Sequence, residues 1–141
     1  MDFDHVFSTF RVSASGLAAE RLRMKVIANN LANANVTRTP EGGPFRKDEV
    51  MFRSVLDRAM GADGLGGVAV EGLTKSTEPF RVEYRPGHPD ADPTTGMLKL
   101  SNVNSVTEMI DMMGASRSYQ ANLAVLTTYK DMMNQTLRLG R

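Results

Sequence analysis

Both ends of this chain carry long apolar stripes of helical period, and no other feature limits the possible folds as strongly. Near the N-terminus, apolar residues recur every seven positions, at Phe3, Phe10, Leu17, Met24 and Leu31. Val6, Ile27 and other apolar residues lie three or four positions away, on the same side of a helix. The stripe ends in the asparagine-rich segment 29–35, and asparagine ends helices well. The pattern predicts one long helix over residues 3–34.

A second apolar stripe occupies the C-terminal part of the chain. Its positions alternate steps of three and four residues, at Met109, Met112, Ser116, Tyr119, Leu123, Leu126, Lys130, Met133 and Leu137. Seven of these nine residues are apolar, which is coiled-coil spacing kept over four heptads. Asn104 or Ser105 can cap the helix, and Glu108 stands in its first turn, where negative charge is favourable. The stripe predicts a helix from about Asn104 to Leu139.

The middle of the chain, residues 36–102, has a different character. All six prolines and most of the twelve glycines fall there, which excludes a long helix. We expect a short helix from Val50 to Met60, a mobile loop at the glycine-rich segment 64–67 and an ordered turn region at 85–93. Short runs with strand character lie at 68–70, 80–84 and 97–100.

These patterns predict an α+β fold. Long N- and C-terminal helices pair as a coiled-coil-like bundle, with a small β-rich insert between them in the sequence. We divide the chain into an N-terminal helix, 1–35, a β-rich and loop region, 36–102, and a C-terminal helix, 103–141. The insert has too little surface to cover both stripes, so the stripes must pair with each other, pack against other copies or stay uncovered.

The stripes are also the predicted interface between subunits, because each helix would present roughly 45 Å of apolar surface at 1.5 Å per residue. The first and last helices would associate with neighbouring chains through this surface. The predicted interface residues are Phe10, Leu17, Met24, Ile27, Leu31, Met109, Met112, Tyr119, Leu123, Leu126, Met133 and Leu137.

The composition excludes several classes of function. There is no cysteine, which removes thiol catalysis, disulfides and cysteine-ligated zinc. The net charge is +1 and neither terminal helix has a basic face, so nothing favours nucleic acid as a partner. No apolar run approaches the roughly 18 residues of a membrane span. The N-terminal residues also lack the features of a cleaved secretory signal.

No residue pattern indicates catalysis, a cofactor or a metal ion. The two histidines, His5 and His88, have no carboxylate or second histidine at ligand spacing. The acidic segment 90–96 departs from EF-hand spacing, and the glycine-rich segment 64–69 lacks the strand and helix of a dinucleotide site. A small hydrolase would need a convergent polar site, which no spacing indicates. We expect no enzyme activity, no cofactor and no metal.

Several segments resemble flagellar axial proteins. Residues 28–33, Ala-Asn-Asn-Leu-Ala-Asn, are similar to the N-terminal signature of rod, hook and hook-associated subunits. The segments 102–104, 108–110 and 115–122 resemble the rod branch. The segments 43–47 and 84–92 are similar to proximal-rod members of the flagellar basal-body rod family. The residues that carry the family motifs are Asn29, Asn30, Asn33, Tyr84, Pro86, Gly87, His88, Pro89, Asp90, Asp92, Tyr119, Gln120 and Asn122.

The resemblance implies a structural subunit of the proximal rod, which polymerises through its terminal helices into a torque-transmitting drive shaft. It implies a place in the periplasmic part of the basal body, reached through the flagellar type III export apparatus without a cleaved signal peptide. The implied partners are other proximal and distal rod subunits and the adaptor between the rod base and the inner-membrane ring. The implied assembly is a helical hetero-assembly, with no nucleic acid and no membrane insertion.

Phe3 and Phe7, spaced i to i+4, resemble the short hydrophobic export signal of rod and hook subunits. Their alternative role is to form the first turns of the apolar stripe. Two alternative functions also stay open: another rod or hook axial component, or a related type III secretion axial protein. A virulence-needle component would share the helical ends but lack the motif at 84–92.

Overall fold

A computed structural model describes residues 3–56 and 65–139; the side chains of 3–9, 56, 65, 137 and 139 fall outside this description. The described elements are helix α1 (Phe3–Ala32), strands β1 (Asp48–Leu56), β2 (Leu65–Lys75), β3 (Arg81–Tyr84) and β4 (Met97–Leu100), and helix α2 (Ser105–Leu139). Strand β1 pairs with β2, and β3 pairs with β4. The predicted α+β class, with a long helix at each end and strands between them, is confirmed.

Helix α1 ends at the asparagine-rich segment, as its sequence predicts. The backbone N–H of Asn33 donates to the carbonyl of Asn29 at 3.1 Å and to that of Asn30 at 3.2 Å. The Asn33 side-chain amide also donates to the Asn29 carbonyl, at 2.9 Å. These bonds satisfy carbonyls that the last helical turn would otherwise leave without a partner.

Helix α2 begins at a side-chain cap. The Oδ1 atom of Asn104 accepts hydrogen bonds from the backbone N–H groups of Val106, at 3.0 Å, and Thr107, at 3.4 Å. This is the arrangement of an asparagine N-cap, so Asn104 is the capping residue and Ser105 is the first residue of the helix.

Two expectations for the middle region are wrong. Residues 50–56 belong to strand β1 and not to a short helix, because pairing with β2 satisfies a backbone whose Val50, Phe52 and Val55 suit a strand. Gly66 and Gly67 lie within β2 and not in a loop. The rest of those two segments, residues 57–60 and Gly64, lies outside the described part of the chain.

The strand character predicted at 80–84 and 97–100 and the turn region at 85–93 are confirmed, and the two strands pair with each other. The strands are antiparallel, with Arg81 opposite Leu100 and Tyr84 opposite Met97. Leu98 and Leu100 point inward and are 1% and 8% exposed. The connecting segment 85–96 is closed by hydrogen bonds and bends at Gly96, whose φ is +68°.

The chain groups into two compact units. Unit 1 takes Met1–Met24, Met51–Gly72 and Met113–Arg141, and unit 2 takes Lys25–Val50 and Leu73–Met112. In unit 2 the buried apolar residues are Val26, Ile27, Ala34, Leu98, Leu100 and Val103. The predicted division at 35 and 102 concerns roles along the chain and stays a prediction. Within the described residues, no helix is both long enough and apolar enough to cross a membrane.

Candidate functional site

Four polar side chains of unit 2 form a cluster that we term the polar junction: Asn30, Lys47, Asn102 and Glu108. Asn30 stands near the end of α1, and Lys47 directly precedes β1. Asn102 lies between β4 and α2, and Glu108 lies in the first turn of α2. The junction thus joins segments that are far apart in the sequence.

Asn30 is 1% exposed, and both the oxygen and the nitrogen of its side-chain amide form hydrogen bonds. Its Oδ1 atom accepts from the Asp48 backbone N–H at 2.9 Å, and its Nδ2 atom donates to the Asp48 carbonyl at 2.9 Å. The same Nδ2 atom donates to Glu108 Oε2 at 3.2 Å. Asn30 therefore pairs with the first residue of β1 as a neighbouring strand would, while it also binds α2.

Glu108 is a buried carboxylate with a cation beside it. It is 1% exposed, and its Oε1 atom lies 2.8 Å from Lys47 Nζ. Burial opposes the charged form of Lys47, but the hydrogen bond with Glu108 and its negative charge together raise the pKa of Lys47. Lys47 is therefore charged at neutral pH. A buried carboxylate needs such a partner, because desolvation of an isolated charge is costly.

Asn102 extends the junction to the end of the β1–β2 sheet. Its Oδ1 atom accepts from the Lys47 backbone N–H at 2.8 Å, and its Nδ2 atom donates to the Glu78 carbonyl at 3.1 Å. Arg46 donates to the carbonyls of Ser76, at 2.8 Å, and Glu78, at 3.1 Å. Its guanidinium lies 4.2 Å from the centre of the Phe80 ring.

The polar junction joins residues from four separate motifs of the sequence. Asn30 belongs to the segment 28–33, Lys47 to 43–47, Asn102 to 102–104 and Glu108 to 108–110, which were noted only as resemblances. Sequence reasoning gave Glu108 a role at the helix start and missed its partners. No periodicity connects these positions, so only the motifs themselves could have indicated that they meet.

The motif at 84–92 builds a turn that its own polar side chains hold in place. The Nδ1 atom of His88 accepts from the backbone N–H of Asp90 at 3.1 Å, and Asp90 Oδ2 accepts from Thr37 Oγ1 at 2.8 Å. The Asp92 carboxylate accepts from the Thr94 backbone at 2.8 Å, and this bond lowers the pKa of Asp92. In the described part of the chain, no three histidine or acidic side chains converge as a metal site requires.

In unit 1, small residues bring α1 close to its neighbours. Gly16 faces Asn122 of α2, where an added Cβ would lie 3.0 Å from the Asn122 Nδ2 atom. Ser15 Oγ donates to the Val12 carbonyl at 2.7 Å and accepts from the Val68 backbone N–H at 3.0 Å. Gly67, with φ of +111°, leaves the room that the Ser15 side chain occupies. Of the family-motif residues on this part of α2, Tyr119 is half-buried and Gln120 is exposed.

The predicted interface residues differ widely in exposure within the single chain. Ile27 is buried, and Phe10, Met109 and Leu123 are 47%, 52% and 44% exposed. The side chains of Leu137, Phe3 and Phe7 lie outside the described set. The half-buried members are Leu17, Met24, Leu31, Met112, Tyr119, Leu126 and Met133.

A further apolar surface lies at the start of α2. Val106, Met109 and Ile110 are 67%, 52% and 59% exposed, and their i, i+3, i+4 spacing places them on one side of the helix. We term these three residues the outer face of α2. Only Met109 belongs to the predicted stripe, because the stripe followed one heptad line and Val106 and Ile110 lie beside it.

Comparison with known proteins finds matches at both ends of the chain. Residues 10–38 match the family model described as "Flagella basal body rod protein". Residues 94–139 match the model described as "Flagellar basal body rod FlgEFG protein C-terminal". The two matched ranges contain Asn30, Asn102 and Glu108 of the polar junction.

Curated relatives match over nearly the full length. The flagellar basal-body rod protein FlgC of Salmonella typhimurium is 44% identical, over 96% of this chain and 98% of its own. The protein of the same name from Borreliella burgdorferi is 37% identical, over 95% of this chain and 97% of its own. The one from Bacillus subtilis is 34% identical, over 96% of this chain and 98% of its own.

Fold and matches together define the class as a structural protein of the flagellar basal body, with a helix at each end that carries a family signature. At this level of identity and coverage, the chain belongs to the FlgC family of flagellar basal-body rod proteins. Its relatives are named as rod proteins and not as enzymes. The absence of an active site, of a cofactor and of a metal ion stays a prediction.

Proposed function

We propose that this chain is a structural subunit of the proximal rod and polymerises there through its terminal helices. The observation that carries the proposal is the apolar surface that the single chain leaves uncovered on those helices. Val106, Ile110 and Met132 of α2 are each more than half exposed, at 67%, 59% and 58%. Large apolar side chains grouped at the surface mark interaction sites.

Helix α2 has the features that a subunit in the interior of a rod needs. Its inward side contains Ala115, which is buried, and half-buried residues such as Met112 and Tyr119. The outer face of α2 remains available for a neighbouring helix. A helix with apolar residues on two sides can pack within its own chain and against another chain at once.

Repeated contacts between unlike surfaces produce a rod. When the outer face of one subunit meets a different surface of the next, the contact is heterologous, and such contacts extend into a helical filament unless they close into a ring. Parallel packing of long helices around an axis resists twisting. Such an assembly transmits torque, which is the role of a drive shaft.

Membership of the rod-protein family supports the partners and the location that we propose. The neighbours of the subunit are other proximal and distal rod subunits and the adaptor at the rod base, in the periplasmic part of the basal body. The subunit reaches this location through the flagellar type III export apparatus without a cleaved signal peptide. Phe3 and Phe7 form the export signal, which a double replacement by alanine tests through the amount of secreted protein.

The polymerisation surface is tested by Ile110→Asp. Ile110 is 59% exposed, so an aspartate there leaves the single chain folded but places an unpaired charge in a packed interface. The variant replaces the wild-type copy in the source bacterium, and secretion, rod length in isolated basal bodies and motility are measured. We expect normal secretion, truncated rods and non-motile cells.

The matched control is Ser118→Asp, which adds the same charge at an exposed polar position of α2 away from the outer face. It should support rod growth better than Ile110→Asp. Normal rods and normal swimming with Ile110→Asp would show that the outer face is not a subunit interface.

A further inference from the structure

A few side chains of the polar junction connect the two ends of a long stretch of the chain. Asn30 and Glu108 are 78 residues apart and are joined by the 3.2 Å bond from Asn30 Nδ2 to Glu108 Oε2. Lys47 binds the other carboxylate oxygen at 2.8 Å. These three residues are on α1, before β1 and on α2, so one buried carboxylate holds three distant segments of unit 2.

Glu108 has no adequate partner until those segments meet. Its 1% exposure means that nearly all of its hydration is lost on folding. The ammonium of Lys47 and the amide of Asn30 replace that hydration, and both come from the N-terminal third of the chain. Formation of the first turn of α2 in its buried position is therefore favourable only after the end of α1 and the start of β1 are in place.

We propose that Asn30, Lys47 and Glu108 form a folding latch, which makes the end of α1, the β3–β4 sheet and the start of α2 fold and unfold as one cooperative unit. The β3–β4 sheet is included because Leu98 and Leu100 are buried in the same unit. When the chain emerges with its N-terminus first, the latch cannot close until Glu108, 78 residues after Asn30, has also emerged. Unit 2 therefore stays unfolded until most of the chain is free, which suits passage through an export channel.

The alternative is a local staple, in which the ion pair stabilises the first turn of α2 and nothing else. The two roles differ in how far the effect of one substitution spreads. Cooperative units exchange their backbone amide hydrogens together, whereas a local contact changes exchange only beside itself. Hydrogen exchange of the purified full-length chain therefore separates the two roles.

The experiment compares wild type, Glu108→Gln, Lys47→Met and the double variant by native-state hydrogen exchange with mass spectrometry. For each single variant we expect exchange to rise by at least about tenfold in residues 27–33, 81–84, 97–100 and 105–112 together. The double variant removes both charges and should recover much of the protection, since it leaves neither charge buried alone.

The matched control is Lys75→Met, which breaks the ion pair between Lys75 Nζ and Asp48 Oδ1 at 2.7 Å. This substitution also removes a lysine near the start of β1, but the carboxylate it leaves, that of Asp48, is 17% exposed and keeps contact with water, whereas Glu108 is 1% exposed. We expect a change of less than about twofold, confined to the β1–β2 sheet, because an ion pair whose lysine is largely in solvent contributes little.

The latch is wrong if Glu108→Gln raises exchange only at the start of α2 while the end of α1 and the β3–β4 sheet stay protected. If Glu108→Gln does not fold, Lys47→Arg, which keeps the charge, should raise hydrogen exchange in the same segments by a smaller factor. The measurement uses the unassembled chain, so its outcome does not depend on whether the rod interface is assigned correctly.

Discussion

The two units bury different kinds of residue. The described buried side chains of unit 2 include Ile27, Leu98 and Val103, together with three members of the polar junction: Asn30, Asn102 and Glu108. Those of unit 1 are Ser13, Ala19, Gly67 and Ala115, all of them small. None of the large apolar residues described in unit 1 is buried, and Phe10, Leu123 and Met132 are 47%, 44% and 58% exposed.

This difference separates stability from assembly. Unit 2 has an apolar core and a buried, hydrogen-bonded polar junction, so it can be stable within a single chain. Unit 1 holds its segments through close backbone approach and leaves large side chains such as Phe10 and Leu123 exposed for other contacts. We infer that substitutions of buried residues in unit 2 act on folding, whereas substitutions of exposed large apolar residues, in unit 1 and on the outer face of α2, act mainly on association. The predictions below test this separation, in order of decreasing effect on the free energy of unfolding.

Lys47→Met should have the largest effect. It leaves the Glu108 carboxylate buried without its cation, and breaking a buried pair in this way costs about 3–5 kcal/mol. Urea unfolding of unit 2, followed by a probe in the β3–β4 sheet, should show the loss, while unit 1 changes little. Lys99→Met, at an exposed position of β4, is the control. A similar loss of unfolding free energy in the control would contradict the role that we give to the polar junction.

Leu98→Ala should come next. Leu98 is 1% exposed, and truncation at such a site costs about 2–5 kcal/mol. Leu126→Ala in unit 1 removes the same atoms from a half-buried position, so it should cost roughly 1 kcal/mol in the single chain. Equal losses, measured by chemical denaturation of the two variants, would contradict the contrast between the units.

Gly67→Ala should destabilise unit 1 by about 1–3 kcal/mol, the usual cost of forcing a side chain into a disfavoured backbone conformation. Gly67 has φ of +111°, and a Cβ there would collide with Ser15. Gly72→Ala is the control, since nothing lies within 4 Å of the added carbon. Thermal unfolding of the two variants checks this prediction, and identical melting temperatures would count against the contact between Ser15 and β2.

Leu123→Asp should change the stability of the single chain by less than about 0.5 kcal/mol, because exposed positions tolerate substitution. Leu123 is 44% exposed, so its aspartate stays hydrated until a neighbour covers it. The variant should be secreted, yet rods should not extend. Thr128→Asp, at an exposed polar position of the same helix, should be milder. Unfolding of the single chain by Leu123→Asp would place this residue in a core instead.

The smallest effect concerns alkaline pH. The folded-state pKa of Lys47 is raised above its ordinary value, near 10.4. Its contribution to stability is therefore complete below that value and is lost as the pH rises through the folded pKa. The difference in unfolding free energy between wild type and Lys47→Met should shrink as the pH rises above about 10.4. A difference that stays constant or grows would contradict the raised pKa.

The helices were predictable because their information is local. Each helix is specified by signals within a few turns of one another: a period of seven residues, an asparagine-rich end and the Asn104 cap. The bounds of α1 and α2 therefore differ from prediction by only a residue or two. Strand β1 was missed, since its conformation depends on pairing with β2 and not on its own pattern. The polar junction was seen only as separate motifs, because its partners lie up to 78 residues apart and no spacing rule links them.

Three of the exposed apolar residues on α2 are methionines: Met109, Met113 and Met132 are 52%, 54% and 58% exposed. A peroxide converts such a thioether to a sulfoxide, which is polar and no longer suits a dry contact. Packing against a neighbour would shield the sulfur atoms. The unassembled subunit is thus more sensitive to oxidation than the assembled rod. Oxidation before assembly would prevent a subunit from joining the rod without unfolding it.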